Sequence, residues 1–93
     1  MEPRILTLHP EGKEGVNISK EKYDLIRQAI VGSLKDSGEL TFSELGTEVS
    51  RRLEGNFQGS TSWYYTSVKL DLEARNVIER IGKKSPQRLR LVA

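Results

Sequence analysis

The sequence predicts an α+β domain: three helices followed by a C-terminal β-hairpin, preceded by a short N-terminal strand or arm. Three observations predict it. Apolar residues recur at three- and four-residue spacing over residues 20–36, and two further helix-start signals follow at Thr41 and Ser60. The run RLRLV, residues 88–92, alternates polar and apolar with the period of a strand. A length of 93 residues, 35% hydrophobic and 30% charged, supports one core and no second domain, because a chain of this size buries only about 60–65% of its unfolded surface. The arm and its loop occupy residues 1–18, and the helical domain with its hairpin occupies residues 19–93.

The elements follow in order. In RILTLHP, Ile5, Leu6 and Leu8 have a strand-like pattern that Pro10 ends, and EGKEGVN reads as a loop. Ser19 can cap a helix starting at Lys20, with Ile18 and Tyr23 at the spacing of a hydrophobic staple. Tyr23, Ile26, Ile30 and Leu34 form its buried face, and Gly38 its left-handed stop. Thr41 and Glu44 have the T-x-x-E spacing of a capping box, bracketed by Leu40 and Leu45. The helix they open turns Leu45, Val49 and Leu53 inward and is expected to end at Gly55. GNFQG makes a turn in which Phe57 plugs the core. Ser60, Thr61 and Ser62 then open a third helix with Tyr65, Val68 and Leu72 facing the first two. Trp63, Thr66, Ser67, Leu70 and Ala74 fall on its outward side. Asn76 stands where the helix needs a residue tolerant of positive φ. Beyond it, IERI and RLRLV flank the six-residue loop GKKSPQ as a two-stranded hairpin.

Charge is distributed unevenly. Residues 1–74 carry nine Lys and Arg against twelve Asp and Glu, whereas residues 75–93 carry six cations against Glu79 alone. The absence of cysteine excludes disulfides, thiolate metal sites and a cysteine nucleophile. No segment approaches the roughly 20 apolar residues of a membrane span, and MEPRILTLHPEG lacks the pattern of a signal peptide, so the cytoplasm is the expected compartment.

The order of helix, capped helix, short turn, third helix and hairpin resembles a winged helix-turn-helix domain. In particular, VKLDLEARNVIERIG is similar to the recognition-helix exit of MarR-like winged-helix proteins, in its Leu72, Glu73, Ala74, Arg75, Asn76, Val77, Ile78, Glu79 and Arg80. Asn76 stands in place of the usual glycine. The resemblance implies a DNA-binding protein, a transcriptional regulator or accessory factor, with the third helix in the major groove of double-stranded DNA and the hairpin as the wing on the flanking backbone or minor groove. It marks Ser60, Thr61, Ser62, Trp63, Thr66, Ser67 and Lys69 on the third helix, and Arg80, Lys83, Lys84, Arg88 and Arg90 on the wing, as DNA-binding.

Each of these residues also has a plainer reading. The wing cations suit phosphate neutralisation, and equally keep an exposed hairpin soluble and its edges unpaired. The three hydroxyls can meet an anion or merely cap the helix. Lys69 is the one cation on the outward face, and no Arg, Asn or Gln there is placed to read a base edge. Trp63 can stack on a sugar or base, pack on the arm, or enter a subunit interface. Arg51 and Arg52 can reach phosphate, but complementing the dipole of the second helix is the favoured reading. The rival function is a winged helix used for homodimerisation or for binding a protein partner.

Catalysis finds no pattern to support it, and neither a cofactor nor a metal is expected. His9, the sole histidine, has no metal or triad spacing around it. EGKEG lacks the G-x-x-x-x-G-K-[ST] spacing of a phosphate loop, and no carboxylates stand as an acid–base pair.

Overall fold

The computed structural model describes residues 3–82 and 86–92. Three helices and two small antiparallel sheets make it an α+β structure. Strand β1 (Arg4–Leu6) pairs with β2 (Asn17–Ser19), which runs directly into helix α1 (Lys20–Ser37). Strand β3 (Glu39–Thr41) leads into α2 (Phe42–Leu53). After a turn come α3 (Thr61–Ala74), β4 (Ile78–Ile81) and β5 (Arg88–Leu91). The second sheet has the order β3-β5-β4.

The helix boundaries are set by local chemistry. The Ser19 hydroxyl accepts the Lys22 N–H at the start of α1, and Gly38, at φ +79°, ends it. The capping box is complete: Glu44 N–H donates to Thr41 Oγ1 at 3.1 Å, and Thr41 N–H donates to Glu44 Oε1 at 2.9 Å. Helix α2 ends at Leu53, two residues short of the expected Gly55. Asn76 takes φ +61°, the left-handed conformation that releases the chain from α3 into β4.

The core lies where α1, α2 and α3 meet the inner face of the second sheet. Ile26, Ile30, Leu45, Val49, Val68, Leu72 and Leu89 are all fully buried in it. In β5 the period-two pattern holds, with Leu89 buried and Arg88 and Arg90 exposed. Gly46 lets α2 and α3 close together, since a Cβ there would come 3.0 Å from the Tyr65 ring.

Two expectations change. The hairpin is part of a three-stranded sheet, because β3 pairs with β5 in the register Leu40↔Leu89. The N-terminal segment is a strand only through Leu6, and it pairs with β2, residues that read as loop and cap. At Thr7 the chain leaves β1. Thr7 N–H donates to Val16 O, Val16 N–H donates to Thr7 Oγ1, and Leu8 N–H donates to Asp71 Oδ1 on α3 at 2.8 Å.

Candidate nucleic-acid interface

Helix α3 and the β4–β5 hairpin carry the residues marked for DNA. At the start of α3 the Ser60 hydroxyl is spent as the cap, accepting the Trp63 N–H at 3.2 Å. Thr61 and Ser67 are half-buried, and Ser62 and Thr66 are exposed. The Thr66 hydroxyl donates back to the Ser62 carbonyl at 3.1 Å. Trp63 is 48% exposed and is braced edge-on by Tyr64, their ring centres 4.8 Å apart. Tyr64 in turn meets Phe57 edge-on, and the Lys22 ammonium lies over both of those rings. Ser43, Thr47 and Ser50 of α2 face Ser62 and Thr66 across a shallow cleft floored by Phe42 and Tyr65. Every side chain lining it is uncharged.

Lys69 is a correction. It was expected on the outward face but is only 4% exposed. Its ammonium pairs with Glu73 at 2.8 Å, donates to Gln87 Oε1 at 2.8 Å, and sits 5.3 Å from the Phe42 ring centre. Burial pushes its pKa down, against the opposing pull of Glu73. The driving force is satisfaction of three elements at once. Gln87 also accepts the Phe42 N–H at its carbonyl, so the foot of β5, the start of α2 and the middle of α3 are tied at one point. This lysine is part of the fold's interior and is not free for a groove.

The hairpin arginines are also engaged. Arg80 binds Glu73 through both Nε and Nη2, at 2.9 and 3.0 Å. Burial pushes the Glu73 pKa up, but bonding to Arg80 and Lys69 outweighs it and holds the carboxyl below its usual range. Arg88 lies 3.4 Å from Glu39, and Arg90 lies 2.5 Å from Glu79. The positive surplus counted along the last quarter of the chain is therefore smaller on this surface than the sequence suggests. Lys83 and Lys84 lie outside the described residues. On α2, Arg51 pairs with Glu48, and Arg52 with Asp36 at 2.7 Å.

Sequence reasoning missed Asp71. It reads as a surface acid but is fully buried, and it accepts hydrogen bonds from Leu8 N–H, the Tyr23 hydroxyl and Arg75 Nε. Burial, and then the bond to Asp71, push the Tyr23 phenol pKa upward. Spacing exposes only the Arg75 partner, four residues on; the two that draw Asp71 inside, Leu8 and Tyr23, come from the arm and α1, far away in sequence.

Among the described residues no group of three or more His, Asp or Glu could hold a metal ion, and no helix is long and apolar enough to cross a membrane. No curated protein matches the chain. A family model described as "Family of unknown function (DUF6958)" matches residues 4–89, and the chain belongs to that family.

Proposed function

We propose that the chain is a winged helix-turn-helix domain, similar to MarR-like proteins, that binds double-stranded DNA mainly by its backbone and with little base selectivity. The observation that carries this reading is the connectivity: α1–β3–α2–α3–β4–β5 with sheet order β3-β5-β4. In that arrangement α2 and α3 are the helix-turn-helix and β4–β5 the wing. Ser62, Thr66 and Ser67 offer hydroxyls to phosphate or base edges. Lys69 takes no part. With no bidentate base reader on α3, selectivity stays low, and with Arg88 and Arg90 already neutralised, affinity stays modest. A role in transcription regulation fits this chemistry.

Fluorescence anisotropy with a random labelled duplex tests it. A Kd on the order of 10⁻⁴–10⁻⁶ M near physiological salt, falling steeply in affinity as salt rises, is the expected outcome. No binding at low salt refutes it.

A second reading, as a self-association or protein-interaction module, is favoured by Trp63, a half-exposed indole on an uncharged face of α3. Sedimentation equilibrium separates the two: association in the wild type that Trp63→Ala abolishes supports it, and a monomer at all concentrations speaks against self-association.

A further inference from the structure

The ion pairs of the described residues differ in their charge count. Arg88–Glu39, Arg90–Glu79 and Arg75–Asp71 each set one cation against one carboxylate, and Arg51, Arg52, Glu48 and Asp36 balance two against two. The cluster at the foot of the wing does not balance. Glu73 is shared by Lys69 and Arg80, two cations on one carboxylate. Glu11 also exerts a pull on Arg80, but Lys13 lies 3.1 Å from Glu11 and offsets it.

Burial divides the cluster into an inside and an outside. The Lys69 and Glu73 side chains are 5% and 6% exposed, whereas that of Arg80 is 47% exposed. Position places the outside half on a useful line. Ser62, Thr66, Lys69 and Glu73 are spaced at four, three and four residues, so they share one stripe of α3. Arg80, in β4, meets the C-terminal end of that stripe through Glu73, which lies about 16 Å along the helix from Ser62 at ~1.5 Å per residue.

We infer that Arg80 is a phosphate-exchange site: on binding, its guanidinium leaves Glu73 for a phosphate oxygen of a polynucleotide backbone, while Lys69 stays behind and keeps Glu73 compensated. The inference rests on the DNA-binding reading and names the cation that serves it. Arg88 and Arg90 cannot make the same exchange without leaving Glu39 or Glu79 bare beside the incoming phosphate, and that repulsion opposes binding. A guanidinium also matches phosphate in the two-pronged geometry it already uses on Glu73.

The test compares three full-length variants against a random duplex across a salt series. Arg80→Gln removes the proposed contact and leaves the Lys69–Glu73 pair intact, which circular dichroism checks. Lys20→Gln with Asp24→Asn removes a balanced pair on α1, away from the proposed interface. Arg27→Gln deletes one positive charge on the exposed face of α1. Arg80→Gln is expected to weaken binding roughly 3- to 10-fold and to reduce the slope of log K against log salt by about 1. The other two are expected to stay within about 2-fold of wild type. An Arg80→Gln loss no larger than that of Arg27→Gln overturns the inference while leaving the DNA-binding reading standing; a wild type that binds no duplex overturns both. Inorganic phosphate supplies the remaining arm. If it raises the melting temperature of wild type and not of Arg80→Gln, while duplex affinity is equal in the two, the site serves free phosphate and the polynucleotide assignment is overturned.

Discussion

Replacing Asp71 with alanine tests whether one buried carboxylate holds the N-terminal arm, α1 and α3 together. The residue is fully buried and accepts from Leu8 N–H at 2.8 Å, from the Tyr23 hydroxyl, and from Arg75 Nε at 3.0 Å. Truncation strands the Tyr23 hydroxyl, in a residue that is 2% exposed, whereas the Leu8 amide, part-buried in a residue that is 43% exposed, can turn in part to water. A stranded group costs roughly 1–3 kcal/mol. Arg75 adds little, because its side chain is 35% exposed and can turn to water. The expected loss is about 2–4 kcal/mol, a large share of the roughly 5–14 kcal/mol available to a domain of this length. Tyr23→Phe deletes one donor cleanly and is expected to cost about 1–1.5 kcal/mol. In the double variant no hydroxyl remains to be stranded, so its loss is expected to be no greater than that of Asp71→Ala alone, a coupling of about 1–2 kcal/mol. Urea titration followed by fluorescence of Trp63, the sole tryptophan, measures all three. An Asp71→Ala loss below about 1 kcal/mol, or strict additivity with Tyr23→Phe, refutes the reasoning. The same bond sets an alkaline limit. The folded-state pKa of Tyr23 is raised above its ordinary value of 10.0, so its contribution is whole below that pH and is lost as pH rises through the raised value. The alkaline fall in stability is accordingly shallower in Tyr23→Phe, though not abolished, since burial also raises the Tyr65 pKa.

Three further outcomes are expected. Glu73→Gln strands the Lys69 ammonium in the interior and is expected to cost about 3–5 kcal/mol in thermal melts, whereas adding Lys69→Met recovers most of it. Because the Glu73 pKa is lowered from 4.5, its contribution is present above that pH and lost as pH falls through the lowered value, so the acid limb is shallower in the double variant. Thr41→Ala opens the capping box and is expected to lower stability by about 1 kcal/mol by urea titration, with equal stability refuting the cap's role. At φ +61°, Asn76→Ala is expected to cost about 1 kcal/mol and Asn76→Gly none; an alanine variant as stable as wild type would count against strain at this turn.

What was legible in the sequence depended on how far away each residue's partner lies. Ser19, Thr41 with Glu44, and Asn76 act on backbone groups within four residues of themselves, so composition and spacing locate them. Strands β2 and β3 are three residues each, too short for a period, and are strands only because β1 and β5 lie beside them. The charged residues of α3 show the same limit in another form. Counting apolar letters alone confines the buried face to Tyr65, Val68 and Leu72. The buried face of α3 also includes Lys69 and Asp71, one at each margin, which widens it to about 160° at ~100° per residue. Marginal positions on a helix packed from two sides are decided by what arrives there: Leu8 and Tyr23 at Asp71, Gln87 and Phe42 at Lys69. Those arrivals are tertiary events, and they reverse the apparent roles of both residues. A like reversal governs the basic C-terminal quarter, where adding up charges along the chain ignores which carboxylates fold against them. Glu39 arrives from a strand 49 residues before its partner Arg88, and Glu73 comes from the helix before the hairpin. After that pairing the hairpin's electrostatic reach depends, among the described residues, on the one ion-pair cluster where cations outnumber carboxylates. For that reason Arg80, rather than the summed charge of the hairpin, is the residue on which the binding experiments turn.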